Sequence, residues 1–94
     1  MTAFRFVIPG PLRDLTDRRG EVQVEGSAAS VEEALELLWD RYPGVRDRVL
    51  TELGEVRQHV NVFVDGTSIR DAEGLGTAVR EGAEIIILPA VSGG

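Results

Sequence analysis

The chain has 94 residues, enough for one domain with a single modest core and too few for a deep substrate cavity walled by its own side chains. Ten basic against 16 acidic residues give a net charge of −6 with no basic stripe, which excludes a reader of nucleic-acid phosphates. A hydrophobic fraction of 43% without any apolar run near the roughly 18 residues of a membrane helix excludes a spanning segment.

There is no cysteine, so the chain forms no disulfide, carries no thiol nucleophile and offers zinc no sulfur. All ten basic residues are arginine. The acidic balance suits solubility and docking on a basic protein surface. The opening residues hold two prolines and charges at Arg5, Arg13 and Asp14, with no stretch fit for a signal peptide, so a cytoplasmic location is expected.

Ala3-Phe4-Arg5-Phe6-Val7-Ile8 alternates, with Phe4, Phe6 and Ile8 on one face, and predicts a first strand ended by Pro9-Gly10-Pro11. Glu21-Val22-Gln23-Val24-Glu25 predicts a second strand, paired with the first through a long loop. Ser30 and Glu33 form a capping box, after which Val31, Ala34, Leu35, Leu38 and Tyr42 recur at helical spacing until Pro43-Gly44. Val45, Val49, Leu50 and Leu53 predict a minor second helix closed by Gly54. Val60-Asn61-Val62-Phe63-Val64 is a third strand, and Asp65-Gly66 is the dipeptide of a type I′ hairpin turn, with Ile69 in a short return strand. Gly74 and Gly76 mark a turn, and Glu84-Ile85-Ile86-Ile87-Leu88 fits a central strand.

This order predicts an α+β fold: a mixed sheet of four to five strands with one major helix across one face and a minor helix, the β-grasp or ubiquitin-like layout. A ferredoxin-like βαββαβ arrangement needs a second long helix between Ile69 and Ile85, where three glycines oppose one.

Catalytic constellations are scarce. His59 is the only histidine and reads as a polar residue at a strand edge rather than a metal ligand. Glu32, Glu33 and Glu36 complement the dipole at the helix start. Gly74-Leu75-Gly76 is too short for a phosphate loop. No catalytic residue and no metal site are expected, and no self-contained enzyme.

The end of the chain is the remaining chemical feature. Residues 1–88 are read as the folded domain and 89–94 as a flexible tail, Pro89-Ala90-Val91-Ser92-Gly93-Gly94, because proline cannot continue a ladder. The five residues after Pro89 would reach roughly 15 Å at about 3.3 Å each. Two terminal glycines carry a carboxylate with no neighbouring side chain, suited to threading a narrow channel in another protein. A carboxylate is a poor electrophile, so activation by ATP to an acyl-adenylate is the natural first step.

Leu88-Pro89-Ala90-Val91-Ser92-Gly93-Gly94 and the hairpin Val60 to Gly66 with Ile69-Arg70 resemble bacterial sulfur carriers of the MoaD, ThiS and CysO type, most similarly the CysO branch, over Phe4 to Gly94. One departure is Gly82-Ala83-Glu84, where an acidic residue often directly follows the glycine in that family. The resemblance implies no bound cofactor, adenylation of Gly94 by an E1-like enzyme that consumes ATP, and a Gly94 thiocarboxylate. Val91, Ser92 and Gly93 would carry it to a sulfur-accepting synthase, such as a cysteine synthase or the large subunit of a molybdopterin synthase. The alternative is a ubiquitin-like modifier joined through Gly94 to target lysines. A third is an interaction domain with an inert tail.

Strand alternation puts Phe4, Phe6, Ile8, Val60, Val62, Val64, Ile85 and Ile87 under the helix and leaves Phe63, Ile86 and Leu88 on the other face. These three are expected to dock the partners in turn, with Arg5 at the rim, unless the loop between Pro9 and Gly20 or the minor helix covers them.

Overall fold

Alternation along the strands decides where the core lies. In the computed structural model, which describes residues 3–8, 10–16, 18 and 20–89, five strands form one mixed sheet. They are β1 (Ala3–Val7), β2 (Glu21–Glu25), β3 (Val60–Val64), β4 (Thr67–Ser68) and β5 (Glu84–Pro89), in the spatial order β2-β1-β5-β3-β4. β1 and β5 are parallel and all other neighbours antiparallel. Helix α1 (Val31–Arg41) and the shorter α2 (Pro43–Val49) complete the β-grasp architecture. No helix among the described residues is long and apolar enough to cross a membrane.

The register rungs Phe4–Val24, Phe6–Val22, Phe6–Ile85, Val64–Ile85 and Val62–Ile87 align one inward row after another. These side chains and Ile8 are buried against Val31, Ala34, Leu35 and Leu38 of α1, as the period-2 and 3.6-residue patterns require. Ser30 Oγ accepts the Glu33 N–H at 3.3 Å, while the Glu33 carboxylate reaches past the cap to the Ala29 N–H at 2.7 Å.

Three elements differ from the sequence expectation. Pro43-Gly44 does not simply stop α1. Tyr42 caps it, and Pro43, whose missing N–H is harmless in a first turn, opens α2. The minor helix ends at Val49, not near Gly54. Leu50 turns extended and bridges Val56, and Thr51 Oγ1 accepts the N–H groups of Leu53 and Glu55, so local turn chemistry replaces another helical turn. Leu53 is 84% exposed at the tip of that turn. Finally, β4 is only Thr67–Ser68, and Ile69 starts a 3-10 turn over Ile69–Asp71 that drops its side chain into the core.

The Asp65-Gly66 turn forms as expected, with φ of 49° and 90° at its two central residues, which links Val64 to Thr67. Asp65 also secures the start of β5. Its N–H donates to the Glu84 carbonyl at 2.9 Å, and its carboxylate accepts the Glu84 N–H at 3.1 Å and Arg80 Nε at 3.1 Å. At the departure from the family pattern, Ala83 is fully buried, and its carbonyl accepts the Arg5 N–H at 3.1 Å. A small apolar side chain fits that position.

Candidate functional site

The outer face of the sheet is built from the alternate residues of the same strands. Across β1, β5 and β3 the rungs Val7–Ile86 and Ile86–Phe63 set three apolar side chains in one row, all half-buried. Leu88, 41% exposed, stands one outward position further along β5, opposite Asn61. The sheet thus brings Phe63, Ile86 and Leu88 together, as alternation predicts. Val7 completes the row. Its outward position was readable from the alternation of the first strand, but its place beside Ile86 depends on the parallel pairing of β1 with β5.

Among the described residues, neither expected cover packs on this row. Leu12, from the 3-10 turn over Gly10–Leu15, and Val45 and Val49 of α2 join the core with α1, so both elements lie on the helix side of the sheet.

Arg5 borders the patch on the rung with Glu84, at the end of β5 away from Pro89. Its guanidinium donates to Glu21 at 2.9 Å and meets Glu84 at 3.3 Å. The hydrogen bond with Glu21, followed by the charge of Glu21, holds its pKa above the ordinary arginine value. It is a rim cation already answered by two carboxylates.

The opposite end of the patch carries a residue absent from the expected docking set. Arg70 Nη1 donates to Asn61 Oδ1 at 3.2 Å, and Nη2 to the carbonyls of Arg57, Gln58 and Val60 at 2.9, 3.1 and 2.8 Å. Asn61 is the rung partner of Leu88, so this guanidinium sits beside the exposed leucine. Its acceptors come from a loop and strand distant in sequence, and no local pattern signals them.

β5 ends at Pro89, paired with Val60. Tail residues Ala90, Val91, Ser92, Gly93 and Gly94 lie outside the described residues. His59 is exposed on the turn before β3, and no group of three or more His, Asp or Glu side chains among the described residues could hold a metal.

This fold has known counterparts. The ThiS family profile matches residues 6–94. The chain belongs to the ThiS family. Among its relatives, the sulfur carrier protein CysO of Mycobacterium tuberculosis is 33% identical over 93% of this chain and 94% of its own length. Small archaeal modifier protein 1 of Haloferax volcanii is 38% identical over 82% of this chain and 83% of its own. The crystal structure of the Amycolatopsis orientalis BexX/CysO complex contains a chain that superposes with a TM-score of 0.87 at 33% identity, covering 98% of this chain and 100% of that one. The chain is therefore a β-grasp member of a ThiS family group that holds sulfur carriers and ubiquitin-like modifiers.

Proposed function

We propose that the protein is a sulfur carrier whose reactive group is its own C-terminal carboxylate. The reading rests on one juxtaposition. Leu88, exposed one outward position along β5 from the Val7, Ile86 and Phe63 row, precedes the last residue of the central strand, from which the sequence continues to Gly93-Gly94. A partner seated on the row would have the tail at its active site, with the strand fixing the direction of entry.

The Gly94 carboxylate would attack the α-phosphorus of ATP on an activating enzyme and release pyrophosphate. A sulfide donor would then displace AMP to leave a thiocarboxylate for a partner synthase. No cofactor would be held by the carrier, and ATP would bind the activating enzyme. Phe63, Ile86 and Leu88 are the anchors of this reading, Arg5 is a rim residue, and Val91, Ser92 and Gly93 thread the channel. The cysteine-free sequence suits it, since a thiocarboxylate would find no internal thiol with which to exchange.

The likeness to small archaeal modifier protein 1 favours a second reading, conjugation of Gly94 to lysines of target proteins. This chain has no lysine, so copies of it could join only through an N-terminal amine.

Intact-mass analysis after incubation with the activating enzyme, ATP and a sulfide donor separates the readings. Exchange of one oxygen for sulfur, lost when Gly94 is deleted, is the expected result. An unchanged mass with a ladder of larger species in the host supports the modifier. An unchanged mass with no ladder overturns both. Deletion of Gly94 should change stability by no more than about 1 kcal/mol, the range of substitutions that remove no packing.

A further inference from the structure

Among the described residues the ion pairs involve Arg5, Arg46 and Arg80. Arg48, Arg57 and Arg70 have no carboxylate within ion-pairing distance among those residues, although the chain is strongly acidic. Arg13, Arg18 and Arg41 likewise lack a carboxylate partner among the described residues, but Arg48, Arg57 and Arg70 lie together. Arg57 Nε donates to the Asp47 carbonyl at 3.0 Å, and Asp47, Arg48, Arg57 and His59 line one shallow cleft. Arg70 joins this group by holding the Arg57 and Gln58 carbonyls. The one acid in the cleft, Asp47, is paired with Arg46 at 3.3 Å.

The location gives the cluster its meaning. Arg57 and His59 lead into the start of β3, Arg70 braces it and Arg48 faces the same cleft from α2, while Val60 at that start is the rung partner of Pro89. Arg70, which holds the Val60 carbonyl, therefore lies beside the point where β5 ends, while the paired Arg5 lies at the other end of the strand. Close, unanswered positive charges repel one another in the free protein. Arg70 is also fixed by four neutral acceptors, so none of its hydrogen bonds goes to a carboxylate and it loses little side-chain freedom when an anion arrives.

We propose that Arg48, Arg57, His59 and Arg70 form a docking rim for carboxylates around the mouth of the channel that receives the tail in the activating enzyme. The inference rests on the sulfur-carrier reading and adds the chemistry of the partner's surface. The apolar row supplies the buried anchor. The cationic rim sets the approach of the tail end and makes association depend on salt, because exposed charges are screened within about 10 Å at 0.1 M ionic strength.

The test compares the full chain with an Arg48→Glu, His59→Glu double variant in titrations against the host's activating enzyme. Both side chains are exposed, and neither makes a side-chain hydrogen bond or ion pair among the described residues, so the melting curve should stay near that of the parent. If it falls, the neutral Arg48→Gln, His59→Gln variant replaces it with a smaller expected loss. The expected result is at least tenfold weaker binding at low salt through slower association. The gap should narrow towards 0.5 M salt and be partly restored by reversing carboxylates at the enzyme's channel mouth. Equal affinity at low salt, or a gap indifferent to salt and to those reversals, overturns the rim. A parent protein that neither binds the enzyme nor gains sulfur overturns the carrier reading and the rim with it. A parent that gains sulfur alongside variants of unchanged affinity overturns the rim alone.

Discussion

Replacing Asp65 by alanine removes a carboxylate that joins the β3–β4 turn to the first residue of β5, and it puts a Cβ-bearing residue with no compensating side chain at φ 49°. The bond from the Glu84 N–H is charge-assisted, a type worth about 1.5–3 kcal/mol, and about 1 kcal/mol is the fitting figure for a carboxylate whose side chain is 34% exposed. Arg80 is 78% exposed and adds little. The left-handed backbone costs alanine about 1 kcal/mol more. The sum, about 2 kcal/mol, corresponds to a Tm about 10 °C lower for a domain of this size. Asp65→Gly relieves the backbone term and Asp65→Asn keeps an acceptor, so each should fall by about half as much. Thermal melts of the three variants at pH 7 check the ordering. Equal Tm values for the alanine and glycine variants would refute the backbone term.

The same carboxylate makes a pH prediction. The hydrogen bond from the Glu84 N–H, aided by Arg80 against the opposing effect of burial, holds the Asp65 pKa below the ordinary aspartate value. A depressed folded-state pKa contributes stability that is full above the unfolded value, about 3.9, and is lost as pH falls through the folded one. The gap between parent and Asp65→Asn should therefore close on acidification below about pH 4. A gap constant down to the acid transition would show that the charge contributes nothing.

Phe63→Ala should weaken binding of the activating enzyme at least about tenfold with little change in Tm, and unchanged affinity by calorimetry would remove the apolar row as a docking anchor. Phe6, fully buried on the rungs with Val22 and Ile85, should cost about 3–5 kcal/mol when cut to alanine. A loss under about 1 kcal/mol in urea unfolding would contradict the packing under α1. Leu53→Ser should change stability by no more than about 0.5 kcal/mol, whereas a larger loss would restore the longer second helix that periodicity suggests.

The sequence by itself determined the elements whose signals are local. Phe4 with Phe6, Val22 with Val24, and Val60 with Val62 and Val64 alternate because one face of each strand must be buried, and that period survives in any sheet order. Ser30 with Glu33, and Asp65 with Gly66, specify a cap and a turn within a few residues of themselves. The Gly93-Gly94 terminus and its resemblance to a carrier family were likewise legible in the sequence.

Only the tertiary structure decided what depends on distant partners. The apolar period over Val45, Val49, Leu50 and Leu53 is the same for a longer helix as for a helix followed by a turn. The bridge from Leu50 to Val56 and the Thr51 hydroxyl settled it. Val7 joined the outer row because β1 pairs in parallel with β5, and among the described residues Leu12, Val45 and Val49 pack on the other side of the sheet. Arg5 and Arg70 are both exposed arginines. Two carboxylates answer one, and carbonyls and an amide hold the other, because the chain returns to each position from more than one element. Charge compensation is a property of neighbours in space, so no single-residue pattern carried it.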